Sequence, residues 1–134
     1  MPQKLDFGNM NLEKNYRLEI ELPGLPKTTN AARALGHWAK RHRLDAEWKA
    51  TVGLYLSNKR PPKPLEKAKL TLTRCSSVEP DYDGLVSSFK PVIDALVEAK
   101  VLQNDRVENI GHPQYMWEKA PARKGSIKVK IEEL

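Results

Sequence analysis

Cysteine is almost missing from this 134-residue sequence: Cys75 stands alone. An internal disulfide and a cysteine-rich zinc site are therefore excluded, and a reducing, cytoplasmic setting is the expectation. No uninterrupted apolar run approaches the roughly 18 residues of a membrane span. Residues 1–15 hold no apolar stretch of the secretory type and are polar and irregular, which predicts a loose arm. There is no internal repeat, no low-complexity tract, no glycine-rich phosphate loop and no Ser-His-Asp set. The length suits one hydrophobic core, so residues 16–134 are expected to form a single domain.

What the sequence does have is charge, unevenly spread. The formal net charge is +6, and apolar residues make up 40% of the chain, enough for a globular core. Residues 31–74 carry eleven Lys/Arg against three acids, a net of +8. Residues 75–105 carry two Lys against six acids, a net of −4. A basic field attracts a polyanion. A carboxylate cluster inside that field repels the same polyanion unless a cation lies between them.

Tyr16–Leu22 alternates apolar and polar, the period of a strand with one buried face, and Pro23-Gly24-Leu25-Pro26 ends it. Asn30 is a candidate cap for a helix over about residues 32–57, with Leu44, Trp48, Val52 and Tyr55 at helical spacing. Lys59-Arg60-Pro61-Pro62-Lys63-Pro64 predicts a stiff basic loop, and Ala68, Leu70 and Leu72 predict a second strand. After Glu79-Pro80, Leu85, Val86, Phe89, Val92, Ile93, Leu96 and Val97 form a helical stripe that Pro91 either kinks or restarts. Segments near 109–118 and 125–132 look like a closing hairpin. The expectation is an α+β fold in the order β-α-β-α-β-β, a small mixed sheet packed with two helices.

The chemistry gathers in Pro80-Asp81-Tyr82-Asp83-Gly84-Leu85. In extended geometry, side chains two apart point the same way, so Asp81 and Asp83 would face one point. Two close carboxylates share a cation or a proton. Hard oxygen ligands suit Mg²⁺, which keeps waters and bridges to phosphate. Asp105 follows the second helix and would join them if the chain folds back. With a nearby lysine, such a set suits metal-assisted phosphodiester hydrolysis. The plainer alternative makes Asp81 an Asx-turn residue and Asp83 a helix cap.

Three blocks carry a family resemblance. They are Asp81-Tyr82-Asp83-Gly84-Leu85, Lys90-Pro91-Val92-Ile93-Asp94-Ala95-Leu96 and Asn104-Asp105. Together they resemble the RusA family of Holliday junction resolvases, whose core reads D-x-D-N-L, K-x-x-x-D-A-L and a D-D pair. Leu22–Asn30 is similar to that family's proline-rich segment ending in Asn, and the likeness spans about residues 16–132. Three departures stand out. Gly84 replaces the family's Asn, Asn104 replaces the first Asp of the pair, and three extra residues separate Asp83 from Lys90. Ser87 occupies the usual lysine spacing. Three residues turn a helix by roughly 300°, which would keep Lys90 near the same face.

The resemblance implies a RusA-like fold and a homodimer that binds four-way DNA junctions. It implies cleavage with Mg²⁺ or Mn²⁺, held by Asp81, Asp83 and Asp105. Lys90 would stabilise negative charge on the phosphate or leaving oxygen. Asp94 either orients Lys90 or forms an ordinary helix-surface pair with it.

Asn30, Lys40, Arg41, Arg43, Lys59, Arg60 and Lys63 are candidate DNA contacts, against the alternative of a solubilising surface. Trp38 and Trp48 would either stack on bases or pack in the core. His37 and His42 are five apart and share no helical face, so they suit no two-histidine metal site. His112 and Cys75 read as structural. The main reading is a metal-dependent endodeoxyribonuclease acting on branched DNA. Its rivals are a DNA-binding protein of the same fold that has lost the chemistry, and an acidic interaction surface around Asp94 and Glu98.

Overall fold

The computed structural model describes residues 15–27 and 38–134. The expected arm over residues 1–14, the candidate cap Asn30 and His37 lie outside the described residues, as do the side chains of Trp38, Lys40 and Arg41. The described residues form a mixed α+β structure around a four-stranded sheet. Its strands are β1 (Arg17–Pro23), β2 (Ala68–Ser76), β3 (Gln114–Lys119) and β4 (Ser126–Glu133).

In space the strands run β1-β4-β2-β3, with β4 antiparallel to both β1 and β2, and β3 parallel to β2. The expected β3–β4 hairpin is therefore corrected: β2 lies between the two. Burial explains the choice. Ile127, Val129 and Ile131 of β4 are all almost fully buried, as two flanking strands require. In β3 only alternate residues are half-buried, which suits an edge. The alternation in β1 holds, with Leu18, Ile20 and Leu22 turned into the core.

Helix α1 (Trp38–Leu56) contributes Val52 and Leu56 to the core and packs Trp48 against it. Leu44, Trp48 and Val52 run down one side at i, i+4 spacing, and Leu56 continues that series. Tyr55, assigned to the stripe from sequence, is 41% exposed instead.

Of the two alternatives for Pro91 the restart is found: the stripe divides into α2 (Tyr82–Ser88) and α3 (Lys90–Glu98), so the count of two helices is corrected. Pro91 sits in the first turn of α3, where a missing N–H costs nothing, whereas in a continuous helix it would remove a hydrogen bond. The join is Phe89, fully buried, with its ring centroid 6.0 Å from that of Tyr115. A further one-turn helix, α4 (Val107–Ile110), occupies the start of the segment expected to be extended from 109. Gly111 ends it at φ 60. No helix among the described residues is long and apolar enough to cross a membrane.

Candidate functional site

The acidic segment begins where β2 runs out. Asp81 has extended backbone angles, φ −68 and ψ 166, and stands at the N-cap of α2. Its Oδ1 accepts a hydrogen bond from the Gly84 amide at 2.8 Å. Asp81, rather than Asp83, is thus the cap. Asp83 lies inside the first turn, where the helix dipole favours a negative charge. The period-two geometry expected for the pair does not apply, because the chain turns helical at Tyr82. Both aspartates are exposed, and neither has an ion-pair partner among the described residues.

The second half of the segment is assembled from further apart. The turn after α3 is pinned to the chain entering β2: the Leu65 amide donates to Val101 O at 2.8 Å and the Gln103 amide to Leu65 O at 2.9 Å. Fixing residues 101–103 brings Asp105 back to α3. Lys90 Nζ donates to Asp94 Oδ1 at 2.8 Å and to Asp105 Oδ2 at 3.0 Å. These bonds raise the Lys90 pKa, Asp94 contributing first and Asp105 second. The Lys90 hydrogen bond holds the Asp105 carboxyl below its ordinary range. Asn104 Oδ1 accepts from the Asp105 amide at 2.7 Å, so Asn104 shapes this loop without adding charge.

Beside this pairing is a cleft of about 440 Å³ lined by Lys49, Asp94, Val97, Glu98, Lys100 and Asp105. Lys49 reaches it from α1 and pairs with Glu98 at 3.0 Å. Sequence reasoning missed both Lys49 and Lys100 as site residues. No local spacing signals them, since the fold alone sets α1 against α3.

Among the described residues, no three His, Cys, Asp or Glu side chains gather closely enough to hold a metal ion. The expected grouping of Asp81, Asp83 and Asp105 is not assembled in this structure; Asp105 is engaged by Lys90 instead. The donor chemistry of Asp81 and Asp83 nonetheless fits a hard divalent cation. Mg²⁺ commonly binds through one or two carboxylates, with waters and substrate phosphates filling its other positions. Both carboxylates are exposed and have no ion-pair partner among the described residues.

The candidate DNA contacts divide. Arg43, Lys59 and Lys63 are exposed. Arg60 is committed locally, donating from Nε to Ala99 O and from Nη1 to Ser57 O, both at 3.1 Å. It ties the end of α1 to the end of α3. Cys75 is buried, as expected of a packing residue, and His112 is exposed. Comparison with protein-family models and with curated proteins finds no match for the chain.

Proposed function

We propose that this protein is a RusA-like, metal-dependent endodeoxyribonuclease that cleaves branched DNA such as four-way junctions, acting as a homodimer. The observation that supports this most is the pairing of Lys90 with both Asp94 and Asp105. It unites the second and third blocks of the resemblance at one ammonium group.

On this reading Asp81 and Asp83 would hold Mg²⁺ or Mn²⁺, which when bound would activate water and offset charge on the phosphate. Lys90 is 63% exposed at its side chain, so its ammonium group is open to a phosphate oxygen while two carboxylates steady it. Asp94 is then a positioning residue that keeps Lys90 aimed, and Asp105 shares that task. The candidate contacts Lys40, Arg41, Arg43, Lys59 and Lys63 supply positive charge for the DNA arms.

A second reading is a junction or duplex DNA-binding protein of the same fold that does not cut. It is favoured by one observation, the commitment of Asp105 to Lys90 rather than to Asp81 and Asp83.

Cleavage of a labelled four-way junction with Mg²⁺ or Mn²⁺ tests both. Cutting that disappears in Asp83→Asn and Lys90→Ala supports the nuclease. Binding by the wild type without cutting under either metal supports the second reading. Absence of binding rejects both.

A further inference from the structure

The connection between β3 and β4 is exposed, basic and unassigned: Lys119-Ala120-Pro121-Ala122-Arg123-Lys124. Its position is fixed at both ends. At the start, the Ala120 amide donates to Ser76 O at 3.0 Å, and Lys119 Nζ donates to Ser77 O at 2.7 Å. Ser76 and Ser77 open the loop that leads to Asp81. At the far end, the Gly24 amide donates to Gly125 O at 3.1 Å. Buried Arg74 holds the adjoining turn, donating from Nη1 to Pro26 O at 2.6 Å. The register places Ser76 opposite Lys119, and Ser126 opposite both Pro23 and Cys75. Lys27, Lys119, Arg123 and Lys124 therefore share the sheet end from which the acidic loop emerges.

One observation marks these four cations together, and a second marks Arg123 alone. First, none of these four cations has an ion-pair partner among the described residues, whereas Lys49, Lys90 and Lys128 do. Second, Arg123 is strained. The Lys124 amide donates to Pro121 O at 3.1 Å, closing a four-residue turn whose third residue, Arg123, has φ 67. Glycine or asparagine is the usual occupant of such a position, because a side chain in the left-handed region is disfavoured. A long cation held at a strained turn tip, with no ion-pair partner among the described residues, is suited to contact an external anion. Strain of this kind collects at binding sites.

We propose that this turn grips the DNA backbone, with Arg123 on a phosphate and Lys124 beside it, at the sheet end that leads to Asp81. The inference rests on the DNA-binding reading and adds a contact surface at the sheet end where β2 and β3 finish. Neutralising a phosphate releases condensed counterions, so each such contact contributes to the salt dependence of binding.

The test measures binding of the full-length chain to a labelled four-way junction across a KCl series, with EDTA to prevent cutting. Arg123→Gly should weaken binding several-fold and reduce the slope of log K against log salt by about 0.9. Its melting temperature should hold or rise, because glycine relieves the left-handed strain. Arg123→Lys should retain most of the slope. Lys69→Gln, which removes a charge from the other end of β2, should leave it unchanged. Wild-type binding with an unaltered slope in Arg123→Gly overturns the inference and leaves the DNA reading standing. A lower affinity accompanied by a lower melting temperature also overturns it, assigning Arg123 to holding the turn. Failure of the wild type to bind rejects the DNA reading and the inference together.

Discussion

Asp81 and Asp83 stand at the start of α2 with no ion-pair partner among the described residues, whereas Asp94 and Asp105 share the ammonium group of Lys90. The first pair is held by weak, non-ionic means. A backbone amide caps one carboxylate, and the helix dipole favours the other. The second pair is closed by a cation of the protein itself. Of these four carboxylates, two therefore share one internal cation and two are open. A cation arriving from outside finds its uncompensated partner at Asp81 and Asp83.

The two regions meet at Phe89, so its removal should have the largest effect. Phe89 is fully buried between α2 and α3. Phe89→Ala should lower unfolding free energy by about 3–5 kcal/mol in a urea titration, from lost burial and the cavity left behind. A loss near 1 kcal/mol would mean that the α2–α3 join collapses easily and that the two aspartate pairs are not rigidly related.

Next in size is the contrast in activity. On the nuclease reading, Asp83→Asn should reduce junction cleavage by about 100-fold or more, as expected for a charge acting on the reacting centre. Asp94→Asn acts through Lys90 and should cost about tenfold, the lower end for a supporting partner. Junction affinity in EDTA should change little in either. Equal losses would erase the distinction between an open, reacting pair and a closed, positioning one.

Much of this arrangement was legible where the code is local. The strands at Arg17–Pro23, Ala68–Ser76 and Ser126–Glu133 follow from period-two alternation, and Lys90 with Asp94 follows from helical i, i+4 spacing. Legibility failed where distant burial decides. Tyr55 and Leu56 both fit a helical stripe, and packing of α1 selects Leu56. β3 and β4 are neighbours in sequence, yet the more completely apolar face of β4 draws it into the sheet interior. Asp105 reaches Lys90 because Leu65 and Leu102 pair as an isolated bridge, a contact no motif encodes. Lys49 meets Glu98 for the same reason. Long-range packing decides which residues of these local patterns face one another.

A smaller effect separates the two roles of Asp81. As an N-cap its side chain can be replaced by another capping residue, but as a metal-holding carboxylate it cannot. Asp81→Ala should cost about 1 kcal/mol of stability, and Asp81→Ser should restore most of it. Neither should restore cleavage. Recovery of cleavage in Asp81→Ser would mean that capping is the residue's whole contribution.

The smallest effect is the pH dependence of the closed pair. Hydrogen bonding to Lys90 lowers the Asp105 pKa, so Asp105 contributes stability above the unfolded carboxylate value of about 3.9. That contribution disappears as pH falls through the lowered folded value. The Lys90 pKa is raised, so its contribution is complete below the unfolded value of about 10.4 and disappears as pH rises through the raised one. Both groups are substantially exposed, so solvent screening keeps the pair within about 1 kcal/mol. Urea unfolding of wild type and Lys90→Met in EDTA should differ by that small amount at neutral pH. The difference should stay level across the middle of the range and shrink at both extremes. A difference that grows toward acid would mean that Asp105 is stabilised by something other than Lys90, and that the second pair is not closed by this lysine.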